Sequence, residues 1–166
     1  MIRIAFVSLL LCCSIVHAQS ASDSLPQVKT VTHEQLNEVI KSDSGNVILV
    51  NLWATWCKPC KEELPSLLKV YREYNRKNVR LVLVSADDID SLSSHVLPML
   101  KSVGVDFVTY IIGDKTDEAF MSGFNPDWNG AFPTTFVYGK NGKLVSTAVG
   151  ERNEQQFRKL ITESLK

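Results

Sequence analysis

Two cysteines separated by two residues, Cys57 and Cys60, are the residues of this chain best suited to chemistry. Such a pair can form a disulfide, bind a metal, carry a covalently attached haem or act as redox-active thiols. A haem attachment site needs histidine directly after the second cysteine, and Lys61 stands there. A structural zinc site needs about four ligands, and His33 and His95 lie far apart in the sequence without ligand spacing. The sequence therefore predicts no metal site and favours redox chemistry.

The pair lies where a buried strand is predicted to end and a helix to begin. Residues 47–53 (VILVNLW) are almost all apolar and rich in β-branched side chains, as in a strand buried on both faces. A helix is predicted over residues 58–76, with an interruption near Pro65. Cys57 would then lie at the helix N-terminus, where unpaired N–H groups and the helix dipole stabilise a thiolate. We expect Cys57 to attack a disulfide of another protein and Cys60 to resolve the mixed disulfide.

The first 18 residues have the pattern of a secretory signal peptide. Arg3 supplies a positive charge, residues 4–16 form an apolar run, and residues 16–18 have a small-residue cleavage pattern. An apolar run of about 13 residues is shorter than the ~20 that a membrane-spanning helix needs. We therefore predict export to the periplasm or another extracytoplasmic compartment. If the segment is not cleaved, we expect it to tether the protein to the membrane.

Cleavage after Ala18 would leave 148 of the 166 residues and remove Cys12 and Cys13. An exported domain held together by disulfides would carry several cysteine pairs along the chain. A single pair closes a loop too short to restrain the unfolded chain, so a purely structural disulfide would stabilise little. The remaining 17 basic and 18 acidic residues give a formal charge of −1. This balance lacks the basic excess of nucleic-acid-binding proteins, so no nucleic-acid partner is predicted.

Periodicity, caps and turn residues predict the remaining elements. Residues 19–27 are expected to be a flexible leader and residues 28–166 a single domain. Further strands are predicted over 80–85, 106–112, 134–138 and 143–149, the last two joined by the hairpin signal Asn141-Gly142. Further helices are predicted after the Thr32 cap, over 90–103 with a break at Pro98, over 115–122, and over 153–165. The order predicts an α/β fold with a central mixed, mostly parallel sheet covered by helices on both faces.

Together these features resemble the thioredoxin superfamily. The resemblance lies in VNLWATWCKPCKEELP (50–65) and AFPTTFVY (131–138), and covers essentially residues 28–165. Within the superfamily the pattern is similar to the TlpA/ResA-like branch of exported thiol-disulfide reductases, several of which serve cytochrome c maturation. The resemblance implies a thioredoxin-like fold and a monomeric protein-disulfide oxidoreductase without a cofactor. It also implies client proteins that carry disulfides, and a membrane-embedded electron donor that re-reduces the cysteine pair.

The resemblance assigns roles to individual residues as well. Cys57 would be the attacking thiol and Cys60 the resolving thiol. Pro133 matches the cis-proline that faces the disulfide in this family, whereas an arbitrary X–Pro bond is cis in only ~5–6% of cases. The backbone of Phe132 would pair there with an extended client segment. Trp56 is expected to cover the disulfide and to contribute to client contact.

One position departs from thioredoxin itself. The buried aspartate found there six residues before the first cysteine is replaced by Asn51, and the strand after Arg80 offers no lysine to partner such an acid. Glu63 lies three residues after Cys60 on the same helical side and matches a functional glutamate of the ResA-like branch. We expect it to accept the Cys60 proton during resolution. The alternative is that Glu63, like Glu62, only favours the first helical turns from the solvent side.

Two other functions remain open. A thiol peroxidase on the same fold would carry Thr or Ser three residues before its cysteine and Pro seven before, where this chain has Ala54 and Val50. A copper-binding thioredoxin-like module would combine the cysteine pair with a histidine such as His95. Whether the pair reduces or oxidises its clients depends on its reduction potential relative to that of the compartment.

Overall fold

Six strands and five α-helices make up the part of the chain that the computed structural model describes, residues 26–113 and 118–166. The strands are β1 (Val28–Val31), β2 (Val47–Trp53), β3 (Val79–Ser85), β4 (Thr109–Ile112), β5 (Thr134–Tyr138) and β6 (Leu144–Val149). The α-helices are α1 (His33–Ser42), α2 (Lys58–Tyr74), α3 (Leu97–Ser102), α4 (Glu118–Phe124) and α5 (Glu154–Ser164). A 3₁₀ turn (Ile89–Ser91) and a π-helical turn (Leu92–Val96) precede α3.

The strands form one mixed sheet in the order β1-β4-β3-β2-β5-β6. The first four strands in that order are parallel, β5 is antiparallel to β2, and β6 is antiparallel to β5. This arrangement confirms the predicted α/β fold with a mostly parallel central sheet. As a consequence, the carboxyl ends of β2, β3 and β6 meet the amino end of β5 at one edge of the sheet. The cysteine pair directly follows β2 at that edge.

Apolar layers cover both faces of the sheet, and alternation along β2 assigns its residues to them. Leu49 and Trp53 face the layer that α2 and α5 complete, whereas Val50 and Leu52 face the layer that α1 and α4 complete. All seven residues of β2 are buried. Asn51 belongs by alternation to the face under α2 and is a polar residue in an otherwise apolar row. A hydrogen-bonding group therefore lies inside the core close to the helix that carries the cysteines.

Side-chain caps determine where two of the helices begin. Thr32 accepts a hydrogen bond from the backbone N–H of Gln35, and the Gln35 side chain accepts one from the backbone N–H of Thr32. This is the capping box that the sequence predicts. Asn153 and Gln156 form the same arrangement at the start of α5. The second box fixes the point at which the loop after β6 becomes helical.

The structure differs from the predicted elements in several places. Strand β1 is absent from the predicted order, because four residues that pair only with β4 are too short to show a period. Helix α2 continues through Pro65 to Tyr74, so the predicted interruption is wrong. The side chains that follow it inward, Leu64, Leu67 and Leu68, are buried against the sheet, and their packing outweighs the cost of a proline within the helix.

The other differences concern boundaries. The segment predicted as one helix over 90–103 is divided into the 3₁₀ turn, the π-helical turn and α3, and Pro98 lies in the first turn of α3. The strand predicted from residue 106 begins at Thr109, and α4 ends at Phe124 rather than at the predicted residue 122. The predicted start of that helix at residue 115 lies outside the described residues. Pro26 is buried and the Gln27 carbonyl accepts a hydrogen bond from the Thr109 N–H, so the last two residues of the predicted leader belong to the fold.

The predicted signal peptide, residues 1–18, and the leader up to residue 25 lie outside the described residues. Within residues 26–113 and 118–166, no helix combines the length and the apolar character needed to cross a bilayer.

Candidate redox site

Cys57 and Cys60 form a disulfide at the start of α2, with 5.3 Å between their Cα atoms. Cys57 is the N-cap of the helix, and its sulfur accepts a hydrogen bond of 3.2 Å from the backbone N–H of Cys60. Cys57 is 6% exposed and Cys60 is fully buried. The sulfur that the sequence predicts to be the nucleophile is therefore both the more accessible one and the one nearest the positive end of the helix dipole.

A cluster of aromatic side chains lies at the same edge of the sheet as the cysteine pair. Trp56 is 64% exposed, and its ring meets the ring of Phe132 edge-on with 5.5 Å between centroids. Phe132 in turn meets Trp128 at 5.5 Å, and the Trp128 indole N–H donates to the Ala131 carbonyl. The peptide bond between Phe132 and Pro133 is cis, as the family resemblance implies. Trp56, Phe132 and Pro133 thus lie together at the sheet edge that carries the cysteines.

Glu63 is buried in the core beneath this edge. It is 1% exposed, so the alternative that it merely faces solvent like Glu62 is wrong. Its Oε1 accepts a 2.8 Å hydrogen bond from Asn51 Nδ2, and its Oε2 accepts a 3.0 Å hydrogen bond from the backbone N–H of Arg152. Asn51 Nδ2 also donates to Thr135 Oγ1 at 2.9 Å. Both carboxylate oxygens are thus held by neutral donors inside the protein.

Burial raises the pKa of Glu63 from 4.5 to about 7. The hydrogen bonds from Asn51 and from the Arg152 backbone act in the opposite direction, because they stabilise the carboxylate. The Arg152 charge also lowers this pKa, and the nearby Glu151 raises it. A carboxyl group with a pKa near neutrality can take up a proton and give it back at physiological pH. Glu63 therefore has the properties of a proton acceptor one helical turn after Cys60.

The sequence did not identify the residues that hold Glu63. Thr135 lies directly opposite Asn51 in the β2–β5 register and is separated from it by 84 residues in the chain. Arg152 comes from the loop after β6, 89 residues from Glu63. For Asn51 the signal in the sequence is that it replaces the buried aspartate of thioredoxin. These contacts depend on strand pairing across the sheet, so local sequence patterns carry no signal for Thr135 or Arg152.

Asp87 is a second buried carboxylate that sequence reasoning did not identify. It accepts hydrogen bonds from the Thr55 backbone N–H at 2.9 Å, from the Thr55 hydroxyl at 2.5 Å and from the Ser85 hydroxyl at 2.6 Å. These bonds tie the loop before Cys57 to the loop after β3. The available signal was an acid two residues beyond a predicted buried strand, at the edge of the sheet where ligands and active sites lie.

His95 does not bring a cluster of ligands to the cysteines. It lies exposed in the π-helical turn, where its Nδ1 forms a 2.8 Å hydrogen bond with the Ser94 hydroxyl. Throughout the described part of the chain, no three His, Cys, Asp or Glu side chains are grouped so that they could hold a metal ion.

Comparison with known protein families matches residues 20–162 to the Redoxin family. The thiol-disulfide oxidoreductase ResA of Bacillus cereus is 31% identical over 121 residues, which are 71% of this chain and 63% of ResA. The match therefore spans less than two thirds of that relative's length. The thioredoxin-like protein YneN of Bacillus subtilis is 28% identical over 144 residues, 86% of this chain and 77% of YneN.

A solved structure shows the same fold. The thiol:disulfide interchange protein of the thioredoxin family from Chlorobium tepidum covers 87% of this chain and 100% of its own, with a TM-score of 0.64 and 22% identity. At this level of identity the likeness establishes a thioredoxin-like fold and nothing about substrates. The six-stranded sheet and the helices that cover it thus belong to a known architecture.

Proposed function

The chain belongs to the Redoxin family, in the TlpA/ResA-like branch of the thioredoxin superfamily, and from this premise we propose that it is an exported protein-disulfide reductase. The proposal is supported above all by one arrangement: a cysteine pair at the N-terminus of α2 with the buried carboxyl group of Glu63 one turn behind Cys60. The two thiols supply both electrons, so the reaction requires no bound cofactor.

In the first step, the thiolate of reduced Cys57 attacks one sulfur of a client disulfide. A bond forms between Cys57 Sγ and that sulfur while the client S–S bond breaks, and the other client sulfur leaves as a thiolate. The start of α2 favours the thiolate form of Cys57, because the helix dipole and the Cys60 N–H both act on its sulfur. Cys57 is therefore the attacking residue in this scheme.

In the second step, Cys60 resolves the mixed disulfide. The Cys60 thiol gives its proton to the Glu63 carboxylate, and the resulting thiolate attacks Cys57 Sγ. The Cys57–Cys60 disulfide forms, the bond between Cys57 and the client breaks, and the second client sulfur leaves as a thiolate. Two electrons have then passed to the client. Because the pKa of Glu63 is about 7, Glu63 is ionised in roughly half of the protein molecules at neutral pH and can accept the proton there.

We assign client binding to the edge formed by Trp56, Phe132 and Pro133. Trp56 offers an exposed aromatic surface beside the disulfide, and its contact with Phe132 links it to the start of β5. An extended client segment that lies along residues 132–133 would bring its disulfide close to Cys57, in the manner of strand addition. Backbone pairing of this kind accepts many sequences, which suits a reductase with several clients.

The cellular setting is proposed from the sequence and the family. The signal-peptide pattern of residues 1–18 supports a periplasmic or other extracytoplasmic location. We propose that the protein acts as a monomer and is re-reduced by a membrane-embedded electron donor. The TlpA/ResA-like resemblance supports cytochrome c maturation as the process in which its client proteins take part.

The reduction potential of the Cys57–Cys60 couple tests the proposed direction of electron transfer. The experiment equilibrates the protein with a dithiothreitol series and quantifies the thiols after acid quenching. A value near that of thioredoxin, about −270 mV, is expected for a reductant. A value near about −120 mV, typical of a strong oxidant, would contradict the proposal.

Trapping of clients tests the roles of the two cysteines. In Cys60→Ala the mixed disulfide between Cys57 and a client cannot be resolved, so we expect covalent complexes on non-reducing gels of extracts. The matched variant Cys57→Ala removes the nucleophile and should trap none. If Cys57→Ala accumulates the complexes and Cys60→Ala does not, the assignment of attacking and resolving thiols is reversed.

A further inference from the structure

The loop between β6 and α5 touches both the proposed client-binding edge and the proposed proton acceptor. The backbone N–H of Gly150 donates a 2.8 Å hydrogen bond to the Pro133 carbonyl. Two residues later, the backbone N–H of Arg152 donates a 3.0 Å hydrogen bond to Glu63 Oε2. We call residues 150–152 the brace. Two hydrogen bonds and one short stretch of backbone thus connect the cis-proline with the carboxylate.

The brace has a defined conformation of its own. Thr134 is opposite Val149 in the β5–β6 register, so the bond from Gly150 to Pro133 extends this pairing by one residue at the site. Gly150 has φ +83°, which glycine adopts readily and other residues rarely do. The Arg152 guanidinium donates to the carbonyls of Gly150 and Glu151, at 3.3 and 3.0 Å. The side chain of Arg152 therefore stabilises the brace, and its backbone holds Glu63.

We propose that the brace is the positioning segment for Glu63. It fixes the position of the carboxylate relative to the amino end of β5, where the client binds. The proposal rests on the proposed function for the role of Glu63 as proton acceptor. The two hydrogen bonds of the brace do not depend on that role. Glu63 sits on α2, and β2 contributes Asn51 to it. The brace is the remaining donor to the carboxylate, and it comes from the edge where a client would dock.

Among the groups around Glu63, the backbone N–H of Arg152 is the contact through which the brace affects the pKa of this residue. The charged groups that act on its pKa are Glu151 and Arg152 on the brace, and on α2 the Cys57–Cys60 disulfide lies one turn before it. Strands β2 and β5 present only the neutral side chains of Asn51 and Thr135. The charges of Glu151 and Arg152 shift the pKa of Glu63 in opposite directions. Displacement of the brace therefore changes this pKa mainly because the carboxylate loses the Arg152 N–H donor.

Gly150→Ala in the full chain tests the proposal, with Gly142→Ala as the matched control. Both glycines have positive φ, +83° and +71°, and an added Cβ meets no atom within 4 Å at either position. The two substitutions therefore impose a similar backbone strain, but Gly142 lies in the β5–β6 hairpin at the far end of the strands. Carboxyl ¹³C NMR of the oxidised protein follows the titration of Glu63 in each variant.

We expect Gly150→Ala to raise the Glu63 midpoint by about one pH unit, because each backbone N–H that a carboxylate loses shifts it by roughly that amount. The pH profile of mixed-disulfide resolution should move by the same amount. Gly142→Ala should leave both unchanged. If both variants fold and the Glu63 midpoint is the same in Gly150→Ala and Gly142→Ala, the brace has no positioning role.

A measurement on the unaltered full chain covers the case in which Gly150→Ala does not fold. The amide proton of Arg152 should shift with the same midpoint as the Glu63 carboxyl, and the amide proton of Gly142 should not respond. An Arg152 amide that stays constant through the Glu63 titration overturns the proposal. If the full chain titrates as expected but reduces no protein disulfide, the proposed function fails while the positioning of Glu63 stands.

Discussion

Replacing Glu63 by glutamine should remove a specific pH dependence of stability. The carboxyl group has a pKa of about 7 in the folded protein, against 4.5 for an ordinary glutamate, because folding buries it. Between these two values the folded chain holds a proton at Glu63 that the unfolded chain has already lost. Stability therefore falls as the pH rises from about 4.5 to about 7, and it is constant above and below this range as far as Glu63 is concerned.

The size of the effect follows from the same two values. A difference of about 2.5 pH units, at 1.36 kcal/mol per unit, corresponds to about 3 kcal/mol of unfolding free energy. Glu63→Gln keeps one acceptor oxygen and turns an NH₂ group toward the second donor, which costs about 1–3 kcal/mol at every pH. The absolute stability of the variant is therefore less informative than its change with pH. The unfolding free energy of the parent, measured relative to that of Glu63→Gln, should fall by about 3 kcal/mol between pH 4.5 and pH 8.

Urea unfolding of the oxidised protein, followed by circular dichroism at pH 4.5, 6, 7 and 8, measures this difference. Glu62→Gln is the matched control, because its side chain is exposed and forms a 3.7 Å ion pair with Lys58. We expect the control to follow the pH dependence of the parent. If the unfolding free energies of the parent and of Glu63→Gln change in parallel from pH 4.5 to 8, burial does not raise the pKa of Glu63.

Three further substitutions test the surroundings of the cysteines. Thr55→Val removes the hydroxyl that donates to Asp87 at 2.5 Å, and should cost about 2 kcal/mol in urea unfolding and slow the reduction of clients. Trp56→Ala should change stability by less than about 1 kcal/mol, since the ring is 64% exposed, yet raise KM for protein clients more than it lowers kcat. Asn51→Asp places a second carboxyl group within hydrogen-bond distance of Glu63, so the two should share one proton. That variant should be destabilised more at pH 8 than at pH 5, and equal losses at both pH values would contradict the shared proton.

Much of the fold follows from local patterns in the sequence. The seven residues of β2 are predicted as a strand buried on both faces, and they form the centre of the sheet. The capping box at Thr32 and the hairpin turn at Gly142, which has φ +71°, are read from a few neighbouring residues. These features are predictable because each depends on periodicity, a cap or a turn within one short segment.

The features that the sequence did not predict depend on distant parts of the chain. Strand β1 has only four residues. It is a strand because it pairs with β4 as the outermost strand of the sheet. Pro65 would break an isolated helix, but α2 continues through it, with side chains around it buried against the sheet. Burial decides these cases, and burial is set by the whole fold.

The same distinction applies to the site. The spacing of Cys57 and Cys60 indicates a redox pair, and the family resemblance adds Pro133 and Glu63. The pattern cannot reveal that Glu63 is buried, or that its ligands come from β2 and from the loop after β6. Burial raises the pKa of this carboxyl group, so its protonation near neutral pH can be predicted only from the folded structure.

A single-turnover reaction between the reduced full chain and insulin, with thiols and disulfides counted by mass spectrometry, tests directly whether Cys57 is the nucleophile of a disulfide reductase. Each chain should reduce one insulin disulfide and gain the Cys57–Cys60 disulfide, and Cys57→Ala should reduce none. If the reduced chain leaves insulin intact, or if Cys57→Ala reduces it at the rate of the parent, the cysteine at the start of α2 is not the nucleophile of a protein-disulfide reductase.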